Sequence, residues 1–134
     1  MLWNRYFFPS FIVLSAVALL HWIGSDLFFY WTLWWYDVVT HFLGGAWVAL
    51  ATLWVLEMPF LGSVRPRFSM LSVILVTLIV GATWEVYEVF LRFSNVHAAG
   101  YVADTLYDLA MDTLGASVVA WVYSRLLTSS QKRS

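Results

Sequence analysis

Asp104, Asp108 and Asp112 recur at every fourth position of YVADTLYDLAMDTLGA, a segment otherwise rich in Leu, Ala, Val and Met. On a helix turning about 100° per residue, a four-residue step drifts by only about 40°, so the three carboxylates form one stripe on one face. Like charges at that spacing destabilise a helix unless a cation sits among them. Two other stretches have the same character. YDVVTHFLGG places Asp37 and His41 one turn apart, and GATWEVYEVF places Glu85 and Glu88 three residues apart. Carboxylate oxygens with one or two imidazoles suit a divalent ion such as Zn, Mn, Fe or Mg. Such an ion lowers the pKa of a bound water and so prepares it for hydrolysis or transfer. The chain has no cysteine, which removes thiolate ligands and disulfides.

What these groups can do depends on the medium around them. Of the 134 residues, 62% are hydrophobic, 19% aromatic and only 11% charged, and nine are Trp. Soluble chains carry about 25% charged residues. The composition therefore specifies an all-α integral membrane protein, with residues 1–134 forming one membrane domain. A net charge of −1 supplies no basic field, so no nucleic-acid partner is expected.

The first apolar run covers roughly 6–23, with Arg5 before it and Pro9 in its opening turn, where a missing N–H costs little. No small-residue cleavage pattern follows it, so it reads as a retained span and not a signal peptide. Residues 26–35, DLFFYWTLWW, are aromatic enough to lie at a membrane interface between spans one and two. The second span covers roughly 37–56. It is followed by EMPFLGSVRPR, whose prolines, glycine and arginines break the chain. Spans at roughly 68–90 and 104–127 complete a four-transmembrane-helix bundle. Arg5, Arg65, Arg67, Arg125, Lys132 and Arg133 then share one side, against Arg92 alone on the other. By the positive-inside rule the N- and C-termini are cytoplasmic.

That topology gathers the chemistry into the outer half of the bundle. Asp37 and His41 begin span two, Glu85 and Glu88 end span three, and Asp104, Asp108 and Asp112 begin span four. Carboxylates at membrane depth are costly and normally mark function. Arg92 is the only nearby cation for six of them. Asp37, His41, Glu85, Glu88, Asp108 and Asp112 are therefore the candidate metal ligands, with His41, Glu85, Asp108 and Asp112 the deepest. Asp37 and Asp104 also suit a supporting position or a second ion. Glu88 and Asp104 are the catalytic candidates, Glu88 as general base. Taken singly, each element has a structural reading: an Asp–His hydrogen bond, solvated glutamates, or Asp104 as a helix cap. Asp108 and Asp112 lie too far inside for capping, and the convergence of all of them is the signal. His21 and His97 fall on the same side and read as interfacial. Gly44, Gly45, Gly81 and Gly115 lie at similar depth, where small residues let membrane helices approach closely.

The order Y-D-x3-H-F-x-G-G, W-E-x2-E and D-x3-D-x3-D-x2-G-A resembles the small bacterial inner-membrane proteins of the YjdF type. More loosely it is similar to VanZ-like proteins, which more usually have Asn at the position of Asp112 and Gln near Glu88. The resemblance covers spans two to four and implies a multi-pass protein of the bacterial cytoplasmic (inner) membrane. The VanZ-like connection implies an envelope or antibiotic-resistance role. The leading expectation is metal-dependent hydrolysis or transfer on a membrane lipid or lipid-linked substrate. The alternatives are a proton-linked or metal-ion transporter and a non-catalytic envelope factor held by a structural metal or polar network. Val48 to Val55, Leu71 to Val80 and Ala116 to Tyr123 contain no acidic residue, which argues against a conduction path. Four short spans enclose little volume, which leaves room for a homodimer.

Overall fold

The computed structural model describes residues 5–58, 70–91 and 95–131, with side chains through Arg125. Every regular element among them is helical: α1 (Phe7–Asp26), α2 (Phe29–Thr32), α3 (Tyr36–Leu56), α4 (Met70–Phe90) and α5 (Tyr101–Gln131). A helix closes its backbone hydrogen bonds within one segment, as an apolar medium demands. α1, α3 and α4 have 20, 21 and 21 residues and are apolar enough to cross a membrane, for which about 20 are needed. α5 has 31 residues, and at 1.5 Å per residue it is about 46 Å long. The aspartates at its start and the polar run at its end deny it the uniform apolarity of the other three. Several hydroxyls within the helices are satisfied locally. Thr52, Thr83, Thr113 and Ser117 each donate to the carbonyl one turn back, at 2.7 Å.

Pro9 does fall in the opening turn of α1. The aromatic connector begins with the last residue of α1, turns at a left-handed Phe28 (φ 58°) and forms the single turn of α2. Tyr36 fastens it. Its hydroxyl donates to the Leu20 carbonyl at 2.7 Å, and its ring fills the space where Gly24 lacks a side chain. Trp31 and Trp34 stay 64% and 84% exposed, as rings at a headgroup boundary would be.

α3 packs against α1, α4 and α5, and its contact with α5 is the most extensive. These two helices run parallel at very close approach. A Cβ on Gly45 would overlap the backbone of Asp112, and one on Gly115 would overlap the Phe42 carbonyl. The glycines expected to permit close packing do so here. Towards the Leu56 end of α3 lies an apolar core of Tyr6, Ala49, Leu53, Val73 and Ala116. Arg5 closes that end through an ion pair with Glu57 at 2.5 Å, its guanidinium lying over the Tyr6 and Tyr123 rings. The loop expected to break the chain after span two lies mostly outside the described residues, and so does Arg92.

A buried carboxylate and histidine cluster

His41 is the centre of the site. It is 8% exposed on α3 and has a carboxylate near each ring nitrogen. On one side Nε2 lies 3.6 Å from Asp37 Oδ1, one turn earlier on the same helix, and 4.0 Å from Asp108 Oδ1 on α5. On the other, Nδ1 lies 3.4 Å from Asp112 Oδ1. Asp108 and Asp112 are both buried and Asp37 is half-buried. The four-residue spacing read from the sequence produces this arrangement directly. Asp37 and His41 share a face of α3, Asp108 and Asp112 share a face of α5, and the parallel pairing sets those faces together. Asp37, His41 and Asp108 each offer a ligand atom within 4.8 Å of the others.

Asp112 is held by missing side chains. Its carboxylate sits where a Cβ on Gly81 would be, whereas a Cβ on Gly44 would meet it only at an ordinary van der Waals distance of 3.8 Å. A methyl group on Gly81 would displace it. Thr40 supports Asp37, its hydroxyl donating to the Asp37 carbonyl at 2.8 Å and lying 3.5 Å from Oδ1.

The remaining candidates are placed differently. Glu85 is buried, and its Oε2 accepts from Thr105 Oγ1 at 2.9 Å, tying α4 to α5, while Oε1 is buried without a hydrogen-bond partner. Glu88 is half-buried and accepts from Trp84 Nε1 at 2.8 Å. Asp104 is exposed in the first turn of α5. Because α5 begins at Tyr101, a turn earlier than the span read from the sequence, Asp104 is not the helix cap. Its charge still faces the favourable end of the helix dipole. His97 lies in the exposed loop before α5, its backbone N–H donating to Asn95 Oδ1 at 3.0 Å. His21 contacts the Tyr30 hydroxyl through Nδ1 at 3.0 Å and meets the Trp84 ring edge-on.

A half-enclosed cavity of about 160 Å3 opens beside the cluster. His41, Asp37, Asp112 and Glu88 form its polar side, and Val17, Val48 and Val80 belong to its apolar wall. Tyr30 also borders it, and burial pushes its phenol up to about 12. Three participants were missing from the reading of the acids alone. Trp84 was legible, since W-E-x2-E puts an indole one turn before Glu88. Thr105 and Thr77 carried no such sign, because a threonine in an apolar helix usually bonds to its own backbone.

Residues 4–129 match the family described as Predicted membrane protein (DUF2238). No curated protein and no solved structure matches the chain. With the match running over nearly all of the sequence, the chain belongs to this family of predicted membrane proteins, DUF2238.

Proposed function

We propose that the protein is a four-span protein of the bacterial cytoplasmic membrane, with both termini cytoplasmic and a divalent metal bound by Asp37, His41 and Asp108. The observation that carries this reading is a buried imidazole with a carboxylate at each nitrogen. Ligand bonds of about 2.0–2.2 Å place donor atoms on one ion about 3–4 Å apart. The distances from Nε2 to Asp37 and Asp108 have that size. Asp112 would then accept a hydrogen bond from the Nδ1–H, fixing the tautomer that leaves the Nε2 lone pair free, the usual support for a metal-bound histidine. When bound, the metal supplies a Lewis acid and an activated water for hydrolysis or transfer on a lipid or lipid-linked substrate. Glu88, which borders the same cavity, would accept a proton, while Asp104, exposed in the first turn of α5, would act through charge alone.

A transport reading needs polar groups leading away from the cluster towards the Leu56 end of α3. Among the described residues, the apolar core there, Tyr6, Ala49, Leu53, Val73 and Ala116, lies between the cluster and the Arg5–Glu57 pair and offers no charged step. That favours a site which holds its ion.

Elemental analysis of the detergent-purified protein tests the proposal. Near-stoichiometric metal is expected in the wild type and none in Asp108→Asn or His41→Ala. Asp112→Asn should retain the site with affinity weakened about 10–100-fold, measured by competition with a chromophoric chelator. Equal metal content in wild type and Asp108→Asn, with helicity intact in both, would remove the metal centre.

A further inference from the structure

The cavity contains one group that the metal cluster does not use. Thr77, on α4, is 1% exposed and borders the cavity, yet its hydroxyl has no hydrogen-bond partner. It differs in this from Thr52, Thr83, Thr113 and Ser117, whose hydroxyls all bond to the carbonyl one turn back. A buried polar group without a partner is costly, and because Thr77 is almost fully covered, a ligand recovers that cost only when the side chain turns its hydroxyl into the cavity. Thr77 lies one turn from Gly81, where the Asp112 carboxylate rests. That offset is about 6 Å along the helix axis.

The rest of the lining restricts what the ligand can be. Asp37, Glu88 and Asp112 border the cavity, and among the described residues no lysine or arginine does. In the metal-free protein an anionic headgroup would meet three carboxylates, with only the His21 and His41 imidazoles among the described lining residues to oppose them. Val17, Val48 and Val80 offer an apolar wall. The volume, about 160 Å3, is close to that of a cavity that holds benzene, roughly six carbon atoms. Access is lateral. At the headgroup end, Tyr30 meets His21, His21 meets Trp84 and Trp84 donates to Glu88, so that one chain of contacts bridges α1 and α4. Val17 on α1 and Val80 on α4 border the cleft below it.

We infer that this cavity binds an uncharged amphiphile, with an acyl-type chain and an ester or hydroxyl headgroup, which enters between α1 and α4. Its chain follows Val17, Val48 and Val80, and an acceptor oxygen takes the Thr77 hydroxyl. The inference rests on the metal reading for the ligand's reaction, but not for its binding.

A monoacylglycerol brominated on its chain is the probe, read by quenching of the tryptophans that include Trp47 and Trp84 at the cavity wall. Saturable quenching is expected in the wild type and should disappear in Val17→Phe, which fills the cavity without touching the cluster. Thr77→Val should bind about fivefold more weakly, the loss of about one hydrogen bond. The chain-brominated lysophosphatidic acid should bind at least about tenfold more weakly than the neutral probe, a difference of about 1.4 kcal/mol. Equal quenching in wild type and Val17→Phe, or a preference for the anionic probe, would overturn the inference. Metal content measured on the same samples separates the two readings. Binding without metal would remove the metal centre alone, and metal without saturable binding would remove the amphiphile alone.

Discussion

At its Tyr36 end, α3 turns Asp37 and His41 towards the interior, whereas at its Leu56 end it turns Ala49 and Leu53 inward. The positions between these ends follow one spacing. Asp37, His41, Gly45, Ala49 and Leu53 recur every four residues, and so do Val73, Thr77, Gly81 and Glu85 on α4, and Asp108, Asp112, Ala116 and Ala120 on α5. All are buried except the half-buried Asp37. The α3 stripe passes from polar through small to apolar, the α5 stripe from Asp to Ala, and on α4 Thr77 stands between Gly81 and the apolar Val73. The comparison teaches that packing geometry and chemical purpose are set separately. One repeat aligns the helices along their whole length, and the residue type at each step decides whether that level holds a ligand or holds the helices together. Small residues in the middle level bring the backbones together, and without that approach the carboxylates of α5 would not reach His41.

Substitutions at the three levels should therefore have different consequences. Gly45→Leu strikes the level that both ends share. The new side chain would overlap the Asp112 backbone, so a loss of about 3 kcal/mol or more is expected, with metal binding lost as well, seen as aggregation or as a collapsed thermal transition. Survival of either property would show that the close approach is not required. Leu53→Ala strikes only the apolar end and should lower stability against denaturing detergent by about 2 kcal/mol at unchanged metal stoichiometry. Were the metal lost too, the two ends could not be independent. Arg5→Ala should be the mildest. The Arg5–Glu57 pair is half exposed on the arginine side, and exposed pairs contribute less than about 1 kcal/mol. A larger loss would show that the ring contacts of Arg5 with Tyr6 and Tyr123 matter more than its charge.

Much of this was legible in the sequence, because helix periodicity is local. The sharing of a face by Asp37 and His41, or by Asp108 and Asp112, follows from spacing alone. So does the apolar character of α1, α3 and α4. What spacing does not carry is the axial register between helices. Asp37 reads from the sequence as a candidate ligand that also suits a supporting position, and Glu85 as a deep ligand. The parallel pairing of α3 with α5 sets Asp37 beside Asp108, and the position of α4 sends Glu85 to Thr105. The alternative reading of Asp104 as a helix cap fails for a simpler reason. Helix α5 starts at Tyr101, ahead of the first charged residue that marked its expected beginning. Thr77 shows the converse limit, since one hydroxyl in an apolar run announces nothing until its neighbours are known.

The near-contact of α3 and α5 at Gly45 and Gly115 also bears on how the molecule moves. Helices separated by side chains can slide, since rotamers shift and the interface repacks. Two backbones that touch have no such slack, and translation along either axis would drive a glycine into the neighbouring chain. The α3–α5 pair is therefore the stationary part, and it carries His41, Asp37, Asp108 and Asp112 as a fixed geometry. Any breathing that lets a molecule in or out falls to α1, because α4 is tied to α5 through Glu85 and Thr105 and through Gly81 against the Asp112 carboxylate.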